Sequence, residues 1–138
     1  MADYIAALPM SLFFLDFDHN SPNAEHLKAH HESFFLNIRE KNPDLPVIMA
    51  TKTDIPRSPA AEKSNAAHRA VVYETYENAV KRGDRNVIFI DGATVFSKAL
   101  TLSAPAASCT VDGCHPNDLG FACMAKVFGD AIEKMLGL

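Results

Sequence analysis

Short apolar runs alternate with longer amphipathic stretches along this chain. Ser11-Leu12-Phe13-Phe14-Leu15 is apolar after its first residue and closes in the polar cluster Asp16-Phe17-Asp18-His19-Asn20-Ser21-Pro22. A short apolar run bounded by turn residues predicts a strand covered on both faces, as in a parallel sheet. Leu27, His31, Phe34, Phe35 and Ile38 then recur at helical spacing. They predict an amphipathic helix over residues 23–41, stopped by Asn42-Pro43-Asp44. The cycle repeats with Pro46-Val47-Ile48-Met49-Ala50 as a second strand and a polar loop from Thr51 to Pro59. Ala66, Ala70, Tyr73, Tyr76 and Val80 mark one face of a second helix, ended by Lys81-Arg82-Gly83. Asn86-Val87-Ile88-Phe89-Ile90 predicts a third strand, turned out by Asp91-Gly92. After a loop that includes Ser103 to Ser108, the last helix runs from Leu119 to Leu136. Its expected core face is Phe121, Met124, Ala125, Phe128, Ala131, Ile132 and Met135.

Strands alternating with helices of this length predict right-handed crossovers and a parallel sheet flanked by helices. The length, 138 residues, suits one such domain with a real core. Charge and targeting narrow the partners. A net charge of -4 gives no electrostatic reason to expect nucleic acid or an anionic membrane. No apolar run approaches the length of a bilayer span. Met1-Ala2-Asp3-Tyr4 lacks the basic region and apolar run of a signal peptide, so a cytoplasmic location is expected. Three cysteines (Cys109, Cys114, Cys123) cannot all pair. They read as free thiols, or at most one Cys109–Cys114 bond, and fit a reducing compartment.

In parallel sheets, sites gather in the crevice at the carboxyl ends of the strands. The polar tails fall there: Asp16 to Asn20, Thr51 to Asp54, and Asp91. One further stretch belongs with them, Asp112-Gly113-Cys114-His115-Pro116-Asn117-Asp118-Leu119-Gly120. In Asp112-x-x-His115 a tight loop can set the carboxylate beside one imidazole nitrogen, fixing the ring tautomer and stabilising the imidazolium. Pro116 cannot donate a backbone hydrogen bond, and Asn117-Asp118 is the chemistry of a helix start. The plain alternative is a surface turn with an exposed histidine.

The longer string D-G-C-H-P-N-D-L-G-F resembles the last sequence block of the SGNH (GDSL-type) hydrolases. The resemblance implies that family's three-layer, flavodoxin-like α/β fold, present here in part as a single domain over residues 1–138. It implies Asp112 as the orienting acid and His115 as the general base of a serine esterase triad. It also implies Asn20, the last residue of Asp18-His19-Asn20, as an oxyanion donor in the place of the family's G-x-N element. Preorganised donors of that kind contribute about 3 kcal/mol against developing charge. The chain departs from the pattern at Asp18, where the family has Gly. It departs further in having no Gly-Asp-Ser and no counterpart of the second block's Gly. None of Ser11, Ser21, Ser33, Ser58, Ser64, Ser97, Ser103 or Ser108 has the nucleophile's context. The resemblance thus covers nearly the whole chain but only the C-terminal portion of a family domain.

Two expectations follow. The polypeptide as given should be hydrolytically dead or very weak, its complete form acting on a small ester or acetylated carbohydrate without a cofactor. An apolar edge on Ser11–Leu15, left without the family's first strand, should pair two copies into a homodimer. The rival class is a non-catalytic, self-associating α/β module.

Other clusters read as structural. His26 and His30 share a helix face with His31 beside them, but no H-E-x-x-H is present and a solvated face is expected. Asp16, Asp18 and His19 form the rival metal constellation, and no metal is assigned to it. Cys114, next to His115, reads as a packed or idle thiol, because adjacent residues rarely aim into one hydrogen bond. Lys52 and Arg57 could hold an anionic or sugar group, with a solvated loop as the simpler reading.

Overall fold

All four residues of strand β2 (Val47–Ala50) are buried, because the strand lies in the middle of a parallel sheet. This is seen in a computed structural model that describes residues 1–100 and 105–138. On one side β2 pairs with β1 (Phe13–Leu15) in the register Phe13–Val47, and on the other with β3 (Val87–Ile90) in the register Val47–Val87. Each strand starts one or two residues later than predicted. The first rung into β2 is the Phe13 N–H donating to the Pro46 carbonyl at 2.9 Å, and Pro46 has no N–H to return.

The alternation of side chains sorts the core into two halves. Leu15, Val47, Met49 and Val87 face α2 (Ala24–Lys41) and α3 (Pro59–Lys81), where they meet Leu27, Phe35, Val72 and Ala79. Ile48, Ala50 and Ile90 face the other way, onto α4 (Val95–Ala99) and α5 (Asp118–Leu136), where they meet Phe96 and Cys123, together with Cys109 from the turn between these helices. The result is a three-layer α/β fold with the site-bearing loops at the carboxyl ends of the strands. A short helix, α1 (Ala2–Ala6), packs Ala6 against Ile38 and Leu45. Side-chain caps open the three long helices: Asn23 accepts the His26 N–H, Ser58 the Ala61 N–H and Asn117 the Gly120 N–H.

One helix face differs from that expected, and a second differs chiefly at its start. On α3 the buried residues are Val71, Val72, Thr75 and Ala79, while Ala66, Ala70, Tyr73 and Val80 are exposed and Tyr76 is half-buried. The tyrosines instead lean on the edge of the sheet, their rings 5.1 and 5.9 Å from that of Phe89. On α5 the expected Met124, Phe128, Ala131, Ile132 and Met135 do pack against the core, half-buried, beside the buried Gly120 and Cys123, while Phe121 is 58% exposed and Ala125 is exposed too. A side chain at Gly120 would collide with the Cys109 carbonyl, so that glycine lets the start of α5 press inward and leaves Phe121 turned out. All three cysteines are free thiols, the first of the two expected readings, and the neighbour of Cys109 is Cys123, with sulfurs 3.9 Å apart, rather than Cys114. The loop expected over 103–108 falls partly outside the described residues, and its remainder joins a short 3-10 turn, Ala106–Cys109.

Candidate active site

The loop before α5 folds around one carboxylate. Asp112 Oδ1 accepts the backbone N–H groups of Cys114 and His115, each at 2.8 Å, and Oδ2 lies 2.6 Å from His115 Nδ1. The two backbone bonds and the imidazole hold the Asp112 carboxyl well below the usual carboxylate range, the His115 backbone bond first among them. With Oδ2 ionised, Nδ1 carries the proton toward it, and Nε2 is left as the basic nitrogen. Around this pair the chain is stitched to itself: the Val111 N–H donates to the His115 carbonyl at 2.9 Å and Gly113 N–H to Thr110 Oγ1 at 3.1 Å. It is also stitched to the tail of β2, where the Ile55 N–H donates to the Gly113 carbonyl at 2.7 Å. Gly113 has φ +93°, and a Cβ there would meet Arg57 Nε at 2.6 Å and the Ile55 carbonyl at 2.7 Å. Only glycine serves both demands.

Asn20 ends the 3-10 turn Phe17–Asn20 that follows β1, and it is exposed. The turn is anchored by Asp18, which is buried: Oδ2 accepts the Lys52 N–H at 3.0 Å, and Oδ1 lies 3.3 Å from His19 Nδ1. Asp18 therefore ties the tail of β1 to the tail of β2, an anchoring that the sequence reading missed because the two residues lie 34 positions apart.

These tails and the start of α5 enclose a cleft of about 360 Å³. Asp16, His19 and Asn20 line it from β1, Thr51 and Thr53 from β2, and Pro116, Phe121, Met124 and Phe128 from the α5 side. Asn20 and the residue after His115 thus share one cavity at the carboxyl rim. Phe121, expected in the core, is one of its walls. Partial burial and then the neighbouring Asp18 charge raise the Asp16 carboxyl, against the pull of His19.

The remaining candidates do structural work. Among the described residues, no three His, Cys, Asp or Glu side chains converge as metal ligands. His26 and His30 stack at 4.3 Å on the exposed face of α2, while His31 is buried against Thr75. Lys52 is not a free loop cation: its Nζ pairs with Asp54 at 3.1 Å, and Asn65 donates to both Asp54 oxygens at 2.9 Å. Burial opposes the Lys52 charge, but Asp54 and the Cys114 thiol beside it outweigh that and raise the ammonium. Arg57 donates to the Val111 carbonyl at 3.4 Å and lies beneath Gly113. Among the described residues, Asp112 is the hydrogen-bond partner of the His115 ring, and the bonded serine hydroxyls serve elsewhere. Ser21 meets Asn23 and His26, Ser58 caps α3, and Ser33 and Ser97 donate to carbonyls of their own helices' turns.

The family model of the GDSL-like lipase/acylhydrolase family matches residues 1–133. Among solved structures, the chain is similar to a protein described as a GDSL-like lipase from Bacteroides ovatus, at 27% identity and a TM-score of 0.79 over 99% of this chain and 39% of that one. It is also similar in fold to the salicylyl-acyltransferase SsfX3 from a tetracycline biosynthetic pathway, at 24% identity and a TM-score of 0.66 over 91% of this chain and 38% of that one. The chain therefore spans less than half the length of these structural relatives. No curated protein sequence matches it.

Proposed function

We propose, from the premise that this chain belongs to the GDSL-like lipase/acylhydrolase family, that it carries the base and oxyanion half of an ester hydrolase site. The observation that carries this reading is the 2.6 Å contact between Asp112 and His115, the residue before Pro116, which lines the same cleft as Asn20. In the complete reaction a serine hydroxyl attacks the ester carbonyl carbon as His115 Nε2 takes its proton. Asp112 holds the ring and offsets its positive charge. The carbonyl oxygen, now an oxyanion, accepts a hydrogen bond from the Asn20 side-chain amide. His115 then returns the proton to the departing alkoxide, leaving an acyl-serine for water to open.

No serine of this sequence stands in a Gly-Asp-Ser element, so on this reading the nucleophile lies outside it, and an Asp–His pair alone cannot form an acyl-enzyme. The chain as given is expected to hydrolyse p-nitrophenyl esters at or near the background rate. A robust rate abolished by His115→Ala would overturn this. The coding frame upstream of Met1 sharpens the test: an apolar strand followed by Gly-Asp-Ser there supports the hydrolase reading.

A second reading is favoured by the free edge of the sheet. Among the described residues β1 pairs with β2 alone, and a groove of about 710 Å³ runs along its free edge, lined mostly by apolar side chains such as Phe13, Phe14, Leu15 and Phe34, and also by Asp16 and Asn20 of the rim. Phe13 spends its N–H on Pro46, so by strand alternation Phe14 presents its amide and carbonyl outward. Antiparallel pairing of two copies about a two-fold axis at Phe14 satisfies both. We expect a dimer by light scattering at micromolar concentration, converted to monomer by Phe14→Lys. A wild-type monomer would contradict it.

A further inference from the structure

The cleft at the carboxyl rim has two unlike sides. From β1 come Asp16, His19 and Asn20, which are polar; from the α5 side come Pro116, Phe121, Met124 and Phe128, which are not. The apolar side is built rather than incidental. Phe128 is braced from the sheet by Phe14, edge to face, with ring centroids 5.0 Å apart. Phe121 is fixed at the backbone, its N–H donating to the Asn117 carbonyl at 2.8 Å in the first capped turn of α5. Yet 58% of Phe121 remains in water. An aromatic ring held open in a concave site, beside an adaptable methionine, leaves apolar area for a bound group to cover. The two threonines do not change this: Thr51 Oγ1 already accepts the Gly92 N–H at 2.9 Å, and both residues are buried.

We infer that this wall takes the acyl group of the substrate, and that the group is apolar and larger than acetyl: a single aromatic ring or a short alkyl chain. The inference rests on the ester hydrolase reading in one respect only, the placing of the acyl carbonyl at Asn20. With the carbonyl there, the group attached to it crosses the cleft to Phe121, Met124 and Phe128. On the Phe121 side the cleft holds about 360 Å³, at the small end of ligand cavities, which suits one ring or a short chain against that wall. An acetyl group would leave the Phe121 ring as wet as it is when the cleft is empty. Asp16 on the opposite side disfavours a free carboxylate as ligand, so the acyl group enters as a neutral ester.

Neutral amides that resist hydrolysis test this with the chain as it stands. Benzamide, hexanamide and acetamide are titrated separately and followed by two-dimensional amide NMR. We expect benzamide and hexanamide to bind at least ten-fold more tightly than acetamide, shifting the signals of Phe121, Met124 and the Asn20 side-chain amide. Phe121→Ala, a change at an exposed position, should cut that preference below three-fold while the rest of the spectrum stays in place. Equal binding of all three amides, or a preference indifferent to Phe121→Ala, overturns the inference. If the preference holds and depends on Phe121 but the Asn20 amide stays silent, the apolar-group inference stands and the oxyanion role of Asn20 falls.

Discussion

Two histidines of this protein, His31 in the α2–α3 layer and His115 on the rim, hold opposite ends of one comparison. Each directs Nδ1 at a single partner: Thr75 Oγ1 at 2.9 Å for His31, Asp112 Oδ2 at 2.6 Å for His115. The Thr75 hydroxyl donates to the Val71 carbonyl at 3.2 Å, so it accepts from His31, whose Nε2 is then a bare acceptor. That Nε2 is buried without a partner, and the ring lies 5.2 Å from Phe17. Burial pushes His31 down to about 4, although Asp18 and Glu32 pull the other way. His115, by contrast, has a side chain 75% exposed beside a carboxylate. The same imidazole is locked neutral in one place and open to water beside a carboxylate in the other. What separates structure from chemistry here is access to water and a charged partner, not residue type.

The largest effect that probes the contrast is the response of His31 to acid. The folded ring resists protonation down to about pH 4, whereas the unfolded ring takes its proton near 6.5. Between those values the unfolded chain binds the extra proton, so stability present above pH 6.5 is lost as the pH falls toward 4, about 3 kcal/mol in all. Urea midpoints measured across that range should fall with pH, and His31→Phe should flatten the part of the slope that His31 causes. A wild-type slope unchanged by that substitution would refute the neutral assignment.

Next in size is the backbone of the rim loop. Gly113→Ala forces a side chain into a positive-φ position already pressed by Arg57 and Ile55. A loss of roughly 1–3 kcal/mol is expected, read as a lower urea midpoint together with a change in the His115 ring signals. A midpoint within error of the wild type would mean that the loop is not held as described.

The extent to which these features can be read from sequence follows from how local they are. The three strands were legible because a parallel sheet covered on both sides turns each strand into an unbroken apolar run, as Val47–Ala50 shows. Asp112 and His115 were legible because they lie within one turn of chain. Asp18 with Lys52 and Gly113 with Arg57 were not, since these contacts join distant stretches and leave no spacing signal. Helical periodicity also cannot tell a core from a cleft. It selected Phe121 as apolar and on a helix face, but a side chain that lines a cavity has the same period as one that is buried. The five residues of α1 are too few to carry a period at all.

The smallest effect on stability belongs to the pair at the centre of the account, because both of its side chains are exposed. Its signature lies in the proton instead. Ring nitrogen shifts of His115, measured by long-range proton–nitrogen NMR above pH 8, report which nitrogen carries hydrogen. The account predicts Nδ1–H with a bare Nε2 in the wild type, and loss of that bias in Asp112→Ala. A wild-type ring protonated at Nε2, or a tautomer indifferent to Asp112→Ala, would contradict it.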